Sequence, residues 1–533
     1  AKVKAGKSAV DDSDFTDAAA LARSGGGYAH PYIVKRNGTV WTFGNNSYNH
    51  FGNGLASGTV ASVPERVGSS HLAADKYLYS LAKGGKLTIT KPTKDSFNVF
   101  DAKVGNAGEN SYNWQTYKGK DSADGAYSED DVISVNKVTG EITAKAIGTS
   151  YVIANEPGDP VMTAAYKIEV RPEGAAAFPQ LAAGATFSMG LKADGTVWTW
   201  GNNEFGQLGN GRFTGTATYP RKVSGLENII KIAAAGYSAY ALDKDGKVYA
   251  WGKNNCGQLG IGKDTTANKT IDQCTPQAVL TQDGAEELSG IVAIAAGGNS
   301  DTSTFALALD ATGQVYAWGY NDYKQVTKSS ENSYALPQKT GITQALDIAA
   351  AQGATSYALR SDGAVIAWGK NNYHEYGTGS TSTPAPGQAV LPYKALAIGA
   401  AQESGMAIVY GLTDEEKVDK NVTGKLYGWG RNYKYQLTGS TSGSMPLPKL
   451  LAGRDDIGMV VGAGAIYSID KEGNLLMSGE GASGQLGDGK KEASTAVQYL
   501  RIPLKDGTDE PITDALGAAS AINGKHTLYV ARD

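Results

Sequence analysis

The sequence predicts an all-β propeller. Three observations predict it: a phrase that recurs at near-constant spacing, a tight-turn signal at a fixed place before it, and a run of small residues at the head of each copy. The phrase is YAWGKNNCGQLGIG at Tyr249, already written as WTWGNNEFGQLGNG at Trp198. It returns at Tyr316, Ile366 and Tyr427, with a worn copy at Leu476 and a first copy at Trp41. Repetition at such a period points to a propeller or a solenoid before any other fold.

Counted at the Trp-Gly position, the copies sit at Phe43, Trp200, Trp251, Trp318, Trp368, Trp429 and Ser478. Successive gaps are 157, 51, 67, 50, 61 and 49 residues. The basic period is therefore about 50 residues, with loop insertions in two copies and a large insertion in the first gap.

One copy, KIAAAGYSAYALDKDGKVYAWG, holds three short extended runs, at 232–235, 239–242 and 248–251. Asp245-Gly246 between the second and third is a hairpin signal, because Gly accepts the positive φ of a tight turn. The same turn Gly recurs as Gly38, Gly195, Gly313, Gly363, Gly424 and Gly473. The first run is small and apolar in copy after copy: LAAGA at Leu181, IAAGG at Ile294, IAAAQG at Ile348, VVGAGA at Val460. Small side chains suit strands that converge on an axis, and the Trp of the third strand then fills the wedge between neighbouring sheets. A ring of sheets avoids long exposed edges. No segment carries helical periodicity with caps.

The signature L-x-x-D-G-x-V-Y-x-W-G-x-N-x-x-G-Q-L-G resembles the RCC1 (regulator of chromosome condensation) repeat. The resemblance covers the chain except for the first-gap insertion and implies a seven-bladed propeller. After the seventh copy, LGAASAINGKHTLYVARD from Leu516 repeats the first two strands. The expectation is that this half-repeat completes a blade with N-terminal strands, as a clasp. An eight-bladed ring, or a natural chain continuing past Asp533, is the alternative.

The first gap exceeds the period by about 107 residues. Its segment DVISVNKVTGEITAKAIGTSYVIAN, residues 131–155, alternates apolar residues with Gly-containing turns, which suggests a small β-sandwich. Val132, Val135, Gly140, Ile142, Ala146, Gly148, Thr149, Val152 and Ile153 resemble the bacterial immunoglobulin-like group 2 domain. The half before it, NAGENSYNWQTYKGKDSADGAYSED, reads as irregular and loop-rich. The fold class is thus all-β, a seven-bladed RCC1-like β-propeller with an inserted immunoglobulin-like β-sandwich. Its parts are residues 1–75, the first repeat; 76–172, the insert; and 173–533, the remaining repeats with the closing half-repeat.

A net charge of −4 gives no broad electrostatic case for nucleic acid or anionic membrane. No apolar run is long enough to span a bilayer, so membrane insertion is not expected. The absence of an initiator Met and of a signal pattern leads us to expect a mature or trimmed form of a longer chain. The two cysteines, Cys256 and Cys274, flank the long loop of one repeat. They read either as two small hydrophobic side chains or as a local disulfide, the latter only in an oxidising compartment.

Catalytic chemistry is hard to find. His30, His50, His71, His374 and His526 belong to no metal or nucleophile motif and read as loop or surface residues. The GYS at Gly236 lacks a nucleophile-elbow context, GAGAIYSID at Gly462 has no following helix, and DKDGK at Asp243 occupies the shared hairpin slot. No catalytic residue, cofactor or metal is expected. A functional surface belongs on the loops. The second residue after Trp-Gly is Asn in six copies, Asn46, Asn203, Asn254, Asn321, Asn371 and Asn432, and is expected to bond backbone within its turn. The fourth is aromatic in four, Tyr48, Phe205, Tyr323 and Tyr373, with Tyr433 and Tyr435 nearby in the sixth copy. On successive blades these residues would form an arc suited to protein or sugar, or they would pack beneath the loops.

Immunoglobulin-like modules of the inserted type resemble parts of bacterial surface and secreted proteins. The expected function is accordingly a non-catalytic, extracellular binding or structural protein, contacting protein, glycan or further copies of itself, with the insert projecting from the propeller edge. The RCC1 resemblance also admits guanine-nucleotide exchange on a small GTPase, or inhibition of an enzyme such as β-lactamase, through one propeller face. Photoreception, known in this fold, is set aside because the G-W-R-H-T pentapeptide is missing and seven of eight Trp occupy strand slots.

Overall fold

A computed structural model describes side chains for residues 78–91, 112–157, 163–262, 270–298, 302–382, 386–413, 415–437, 443–454, 465–470, 474–483, 486, 490–500 and a few near the C-terminus, and backbone alone for the other strands given below. All regular elements among the described residues are strands. Six consecutive four-stranded antiparallel sheets follow the repeat. Blade A comprises Gln180–Ala183, Phe187–Leu191, Val197–Asn202 and Thr216–Lys222. Blade B comprises Ile229–Ala235, Ser238–Asp243, Val248–Gly252 and Gln273–Ala278. Blade C comprises Ile291–Gly297, Phe305–Asp310, Val315–Tyr320 and Ser333–Lys339. Blade D comprises Ala345–Ala350, Thr355–Arg360, Val365–Gly369 and Gly387–Gln388. Blade E comprises Lys394–Ala401, Ser404–Tyr410, Leu426–Arg431 and Ser444–Leu450. Blade F comprises Ile457–Gly462, Ala465–Asp470, Leu475–Gly479 and Ser494–Tyr499.

The expected small first strands pack side by side from blade to blade, A through F. The half-repeat, Ala515–Ser520 with Thr527–Ala531, lies between the first strands of F and A and closes the circuit. Its two strands pair with each other. The N-terminal strands Ala18–Arg23, Pro31–Lys35, Val40–Asn45 and Val60–Arg66 form a complete four-stranded sheet of their own. The expected clasp is therefore absent from the described pairings: the N-terminal strands already satisfy one another's ladders.

Each turn glycine described has the predicted positive φ; at Gly246 it is 83°. A Cβ there would meet the nitrogen of Gly290 in the next blade at 2.7 Å, so the turn and the neighbour both demand Gly. The DKDG segment is a turn, with Asp243 accepting from the backbone N–H of Asp245 and Lys247, both at 2.9 Å. In blades A, B, C and E a register shift interrupts the third and fourth strands around the Trp position. Such a bulge re-aims the side chain it carries. Trp251, Trp318 and Trp429 are fully buried, and Trp251 shares a core with Met189, Val197 and Leu208 of blade A.

The insert is a two-sheet module. One sheet holds Lys86–Thr88, Lys120–Asp121, Tyr127–Glu129, Ile133–Asn136 and Glu141–Ala144. The other includes Leu78–Ala82, Asn113–Thr116, Gly148–Glu156 and Asp159–Arg171. Both bury side chains in one core around Trp114, Ile142, Tyr166 and Ile168. The segment expected to be irregular supplies three of these strands. Its NWQT run alternates half-buried and buried residues, and Trp114 is at the centre of the core. The Gly- and Asp-rich flanks masked that alternation.

The module does not project from the edge. It docks on the base of the ring, where the first strands begin and where the hairpins joining second to third strands lie. Tyr117, Tyr151, Ile153 and Ala165 share a core with Leu396, Ile408, Tyr410 and Val418 of blade E. The dock fits an irregularity in the repeat: blade E carries an extended hairpin loop, residues 411–424. Glu416 in that loop accepts from the Asn113 amide at 2.6 Å and the Asn155 amide at 3.2 Å, and its carbonyl accepts from Gln115 at 2.6 Å. Gln115 in turn accepts from the Val418 N–H at 3.1 Å.

Candidate functional site

The loops after Trp-Gly lie on the face opposite the docked module, because each third strand runs from base to top. Their shape is set by buried amides. Asn203, Asn254, Asn321, Asn371 and Asn432 are fully buried. Each accepts, through Oδ1, from the N–H five residues on, at 2.8–3.0 Å. This is the structural role expected of them. Asn46 lies outside the described residues.

A second buried side chain completes each loop. Gln207, Gln258, Gln325 and Gln436 accept from the N–H two residues earlier, at 2.8–3.1 Å. In blade D the same position is Glu375, which accepts from the Tyr373 N–H at 2.7 Å. Burial pushes the Glu375 carboxyl up to about 7, and nearby Glu403 adds to the shift against opposing backbone N–H groups and Lys370.

Of the six aromatic candidates, Tyr48 lies outside the described residues. Tyr323, Tyr373 and Tyr433 are brought together across blades C, D and E by cations. Lys370 Nζ lies 5.6 Å from the Tyr323 ring centre and 5.4 Å from that of Tyr373. The Arg431 guanidinium lies 4.8 Å from Tyr373 and 4.9 Å from Tyr433. Tyr373 and Tyr433 meet edge-on, with centres 5.8 Å apart. Lys370 and Arg431 both pair with Glu403, a buried carboxylate on the turn between the first two strands of blade E. Tyr323 and Tyr433 remain 42% and 52% exposed, so the arc reaches solvent.

Phe205 forms a separate cluster on blades A and B. It packs edge-on to Tyr237 at 4.9 Å, with Lys253 Nζ 3.8 Å above its ring. Cys256 holds the aromatic slot of blade B and separates this cluster from the arc. Tyr435 is a correction. It occupies the position that is Gly in other copies, with φ 61°, so it follows the loop's left-handed turn rather than the aromatic slot. Lys324 and His374, both at φ 65°, fill the same position in blades C and D. His374 turns its ring to the Ser444 hydroxyl at 3.2 Å. His30, His50 and His526 lie outside the described residues, and His71 is described by backbone alone.

Cys256 and Cys274 are both thiols, so the local disulfide is not formed. Their neighbours explain this. The Cys256 sulfur points forward to the Thr302 carbonyl of blade C at 3.2 Å. Cys274 packs backward, its Cα 2.6 Å from where a Cβ on Gly206 of blade A would stand.

Sequence reasoning missed the cations. Lys253, Lys370 and Arg431 all stand first after Trp-Gly, three columns before the aromatics already aligned. Each lies over the aromatic of the preceding blade, a relation between copies that one copy does not reveal. It also missed the charged seal under the module. There Glu169 lies 3.3 Å from Lys167 and 3.5 Å from Lys231 of blade B. Burial alone would raise the Glu169 carboxyl, but Lys231 and Lys167 hold it down at about 2. Beside them a cavity of about 40 Å³ is lined by Tyr151, Lys167, Lys231, Leu346, Asp347 and Leu396, among others. That is room for about one water.

Sequence profiles of the Regulator of chromosome condensation (RCC1) repeat match residues 194–242 and 245–301, and a second such profile matches 180–207, 229–258 and 291–325. The chain is 35% identical over 151 residues to a human protein described as probable E3 ubiquitin-protein ligase HERC6, covering 28% of this chain and 13% of that one. It is 32% identical over 152 residues to human Protein RCC2, covering 28% and 26%. The chain thus matches only a minor part of these relatives' length. Among solved structures, yeast RCC1 (Prp20) bound to Kap60 aligns with TM-score 0.53 and 21% identity, over 67% of this chain and 81% of that one. Human WBSCR16 aligns with TM-score 0.52 and 20% identity, over 70% and 90%. The chain carries RCC1 repeats and has an RCC1-like propeller fold.

Proposed function

We propose that this chain is a non-catalytic, protein-binding RCC1-type propeller of seven blades that works through its loop face. One observation carries the reading: the inserted module covers the base, while the cation–aromatic arc of Tyr323, Lys370, Tyr373, Arg431 and Tyr433 stands on the opposite face with two rings reaching solvent. Rigid tyrosines and arginine are the side chains that most often anchor protein interfaces. The cations already cover ring faces of the arc, which leaves less flat aromatic surface for stacking a sugar. Glycan recognition and self-assembly are therefore secondary forms of the same reading.

We read the insert as an immunoglobulin-like group 2 module and the setting as the exterior of a bacterial cell, from its resemblance to surface-protein modules. Regulation of an enzyme or a small GTPase is the second reading. It is favoured by the repeats, since a solved neighbour, Prp20p from Saccharomyces cerevisiae, is described by its binding to Gsp1p and histones.

The test is site-directed photocrosslinking on producing cells, with the crosslinking residue at Tyr433 or at Tyr219 on the outer edge of blade A. Capture of a defined protein from Tyr433 but not Tyr219, abolished by Arg431→Ala, is expected. Equal yields from both positions, or none, would overturn the loop-face reading. Surface labelling of the same cells decides the location: a chain protected until lysis would end the extracellular part.

A further inference from the structure

Glu375 stands where Gln207, Gln258, Gln325 and Gln436 stand in the other described blades. In three of those blades the glutamine amide also donates: Gln207 to Asn202 Oδ1 at 2.9 Å, Gln258 to Asn255 Oδ1 at 3.1 Å, and Gln436 to the Arg431 carbonyl at 2.8 Å. Glu375 places a carboxylate oxygen, Oε1, at that donor position. Oε1 is buried and has no hydrogen-bond partner. A protonated carboxyl is the nearest isostere of the amide, with an O–H where glutamine has N–H. An ionised one presents a buried charge that nothing at this position is built to satisfy.

The groups around Glu375 connect it to the arc. Its backbone carbonyl takes the Tyr357 hydroxyl at 2.9 Å and the Trp429 indole N–H at 2.8 Å. Its second carboxyl oxygen holds the Tyr373 N–H, and Tyr376 is tied to the Gly369 carbonyl at 2.9 Å. The charged groups facing it are Lys370 and Glu403, with Arg431 beyond as the other partner of Glu403. His374, next in the chain, turns to Ser444.

We propose that Glu375 is a proton-operated latch for the loop face. Protonated, it sets the Tyr373 loop in the geometry that glutamine sets elsewhere. Ionised, it competes with Glu403 for Lys370 and loosens the Tyr323–Tyr373–Tyr433 arc. The latch is a property of the chain alone; that it controls binding rests on the loop-face reading above.

The experiment compares the full chain with Glu375→Gln, the residue that four blades already use. Between about pH 5 and 7 the unfolding constant of the parent should rise about tenfold per pH unit relative to the variant, then level off. Hydrogen exchange in the peptide spanning residues 370–377, corrected for intrinsic rates, should gain severalfold, up to about tenfold, in the parent from pH 6 to 8 and stay level in the variant. Parallel pH profiles for the two proteins, or exchange that changes equally in both, would overturn the latch. No partner is used, so this outcome is independent of the crosslinking experiment, and either can fail alone.

Discussion

The indole N–H of Trp429 donates to the main-chain carbonyl of Glu375, one blade earlier, at 2.8 Å. The same bond joins Trp251 to Gln207 at 3.0 Å, Trp318 to Gln258 at 2.8 Å and Trp368 to Gln325 at 2.9 Å. The Trp-Gly and Gly-Gln-Leu-Gly parts of the repeat are therefore two halves of an inter-blade joint. Blades B to E each offer an indole backward to a carbonyl of the blade before.

Replacing Trp318 with Phe should cost about 1–3 kcal/mol, because it takes one of two donors from the buried Gln258 carbonyl, leaving the Tyr240 hydroxyl at 2.8 Å, and removes packed volume. The control is Trp198→Phe. Trp198 is half-buried and its N–H serves only Thr196 of its own blade, at 2.9 Å. Its loss should cost well under half as much. Denaturant midpoints of the two variants test the difference.

The last Gly of the phrase is specified by the same joint. Gly260 has φ 69°, and a Cβ there would stand 2.8 Å from the Trp318 indole nitrogen. Gly260→Ala should therefore destabilise by more than the ~1–2 kcal/mol of a left-handed L-residue, since the indole must also move. Lys324→Gly should act in the other direction. Lys324 holds a left-handed φ that its blade inherits from the Gly of other copies, so glycine should stabilise by up to roughly 1 kcal/mol. A lowered unfolding midpoint for Lys324→Gly would contradict the strain.

The module's seal should fail in acid. Glu169 has a folded pKa of about 2, below its ordinary value of 4.5, so it binds fewer protons folded than unfolded. Its contribution is present above about pH 4.5 and is lost as pH falls towards 2. Lys231→Ala removes one cation and should move this loss to higher pH. Hydrogen exchange across residues 163–171 between pH 5 and 3 measures it. Glu416→Gln tests the other end of the dock: it keeps the shape but takes the charge from two amide bonds, and module exchange should rise severalfold at neutral pH. Exchange unchanged in both variants would mean that the apolar contacts hold the module unaided.

What the sequence made legible were features written inside one copy. The Asp-Gly hairpins, the small first strands and the buried Asn of each loop all depend on neighbours a few residues away. The arc was half legible: Tyr323 and Tyr373 were visible as a column, but Lys370 and Arg431 act on the preceding blade's ring, and that partnership exists only when blades stand side by side. The docking of the module was not legible at all. Its contacts pair Asn113, Gln115 and Asn155 with Glu416, 261 to 303 residues away, and each polar residue alone reads as a solvated loop. Trp114 was lost for a different reason, a short alternating strand between flanks that signal turns.

The worn copy offers the sharpest test of the joint. Blade F has Ser478 where the other blades have Trp, and its hydroxyl reaches the Gln436 carbonyl at 3.3 Å. Beside that hydroxyl, at 2.8 Å, lies the guanidinium of Arg454, which is fully buried. Its guanidinium is bound by the hydroxyls of Ser468 and Ser478 and by the carbonyls of Leu476, at 3.4 Å, and Ile466, at 3.2 Å. Burial pulls its pKa down to about 9, so it remains charged at neutral pH. A tryptophan at position 478 would meet that guanidinium, so the two substitutions should couple. Ser478→Trp alone overpacks the slot and should cost about 1–3 kcal/mol. Arg454→Ala alone leaves a cavity lined by stranded hydroxyls and should cost a similar amount. The double variant rebuilds the joint of the other blades and should be at least 1 kcal/mol more stable than the sum of the two single effects. Additive losses in a double-mutant cycle would mean that Arg454 does not occupy the tryptophan's place, and that blade F is held to blade E by other contacts.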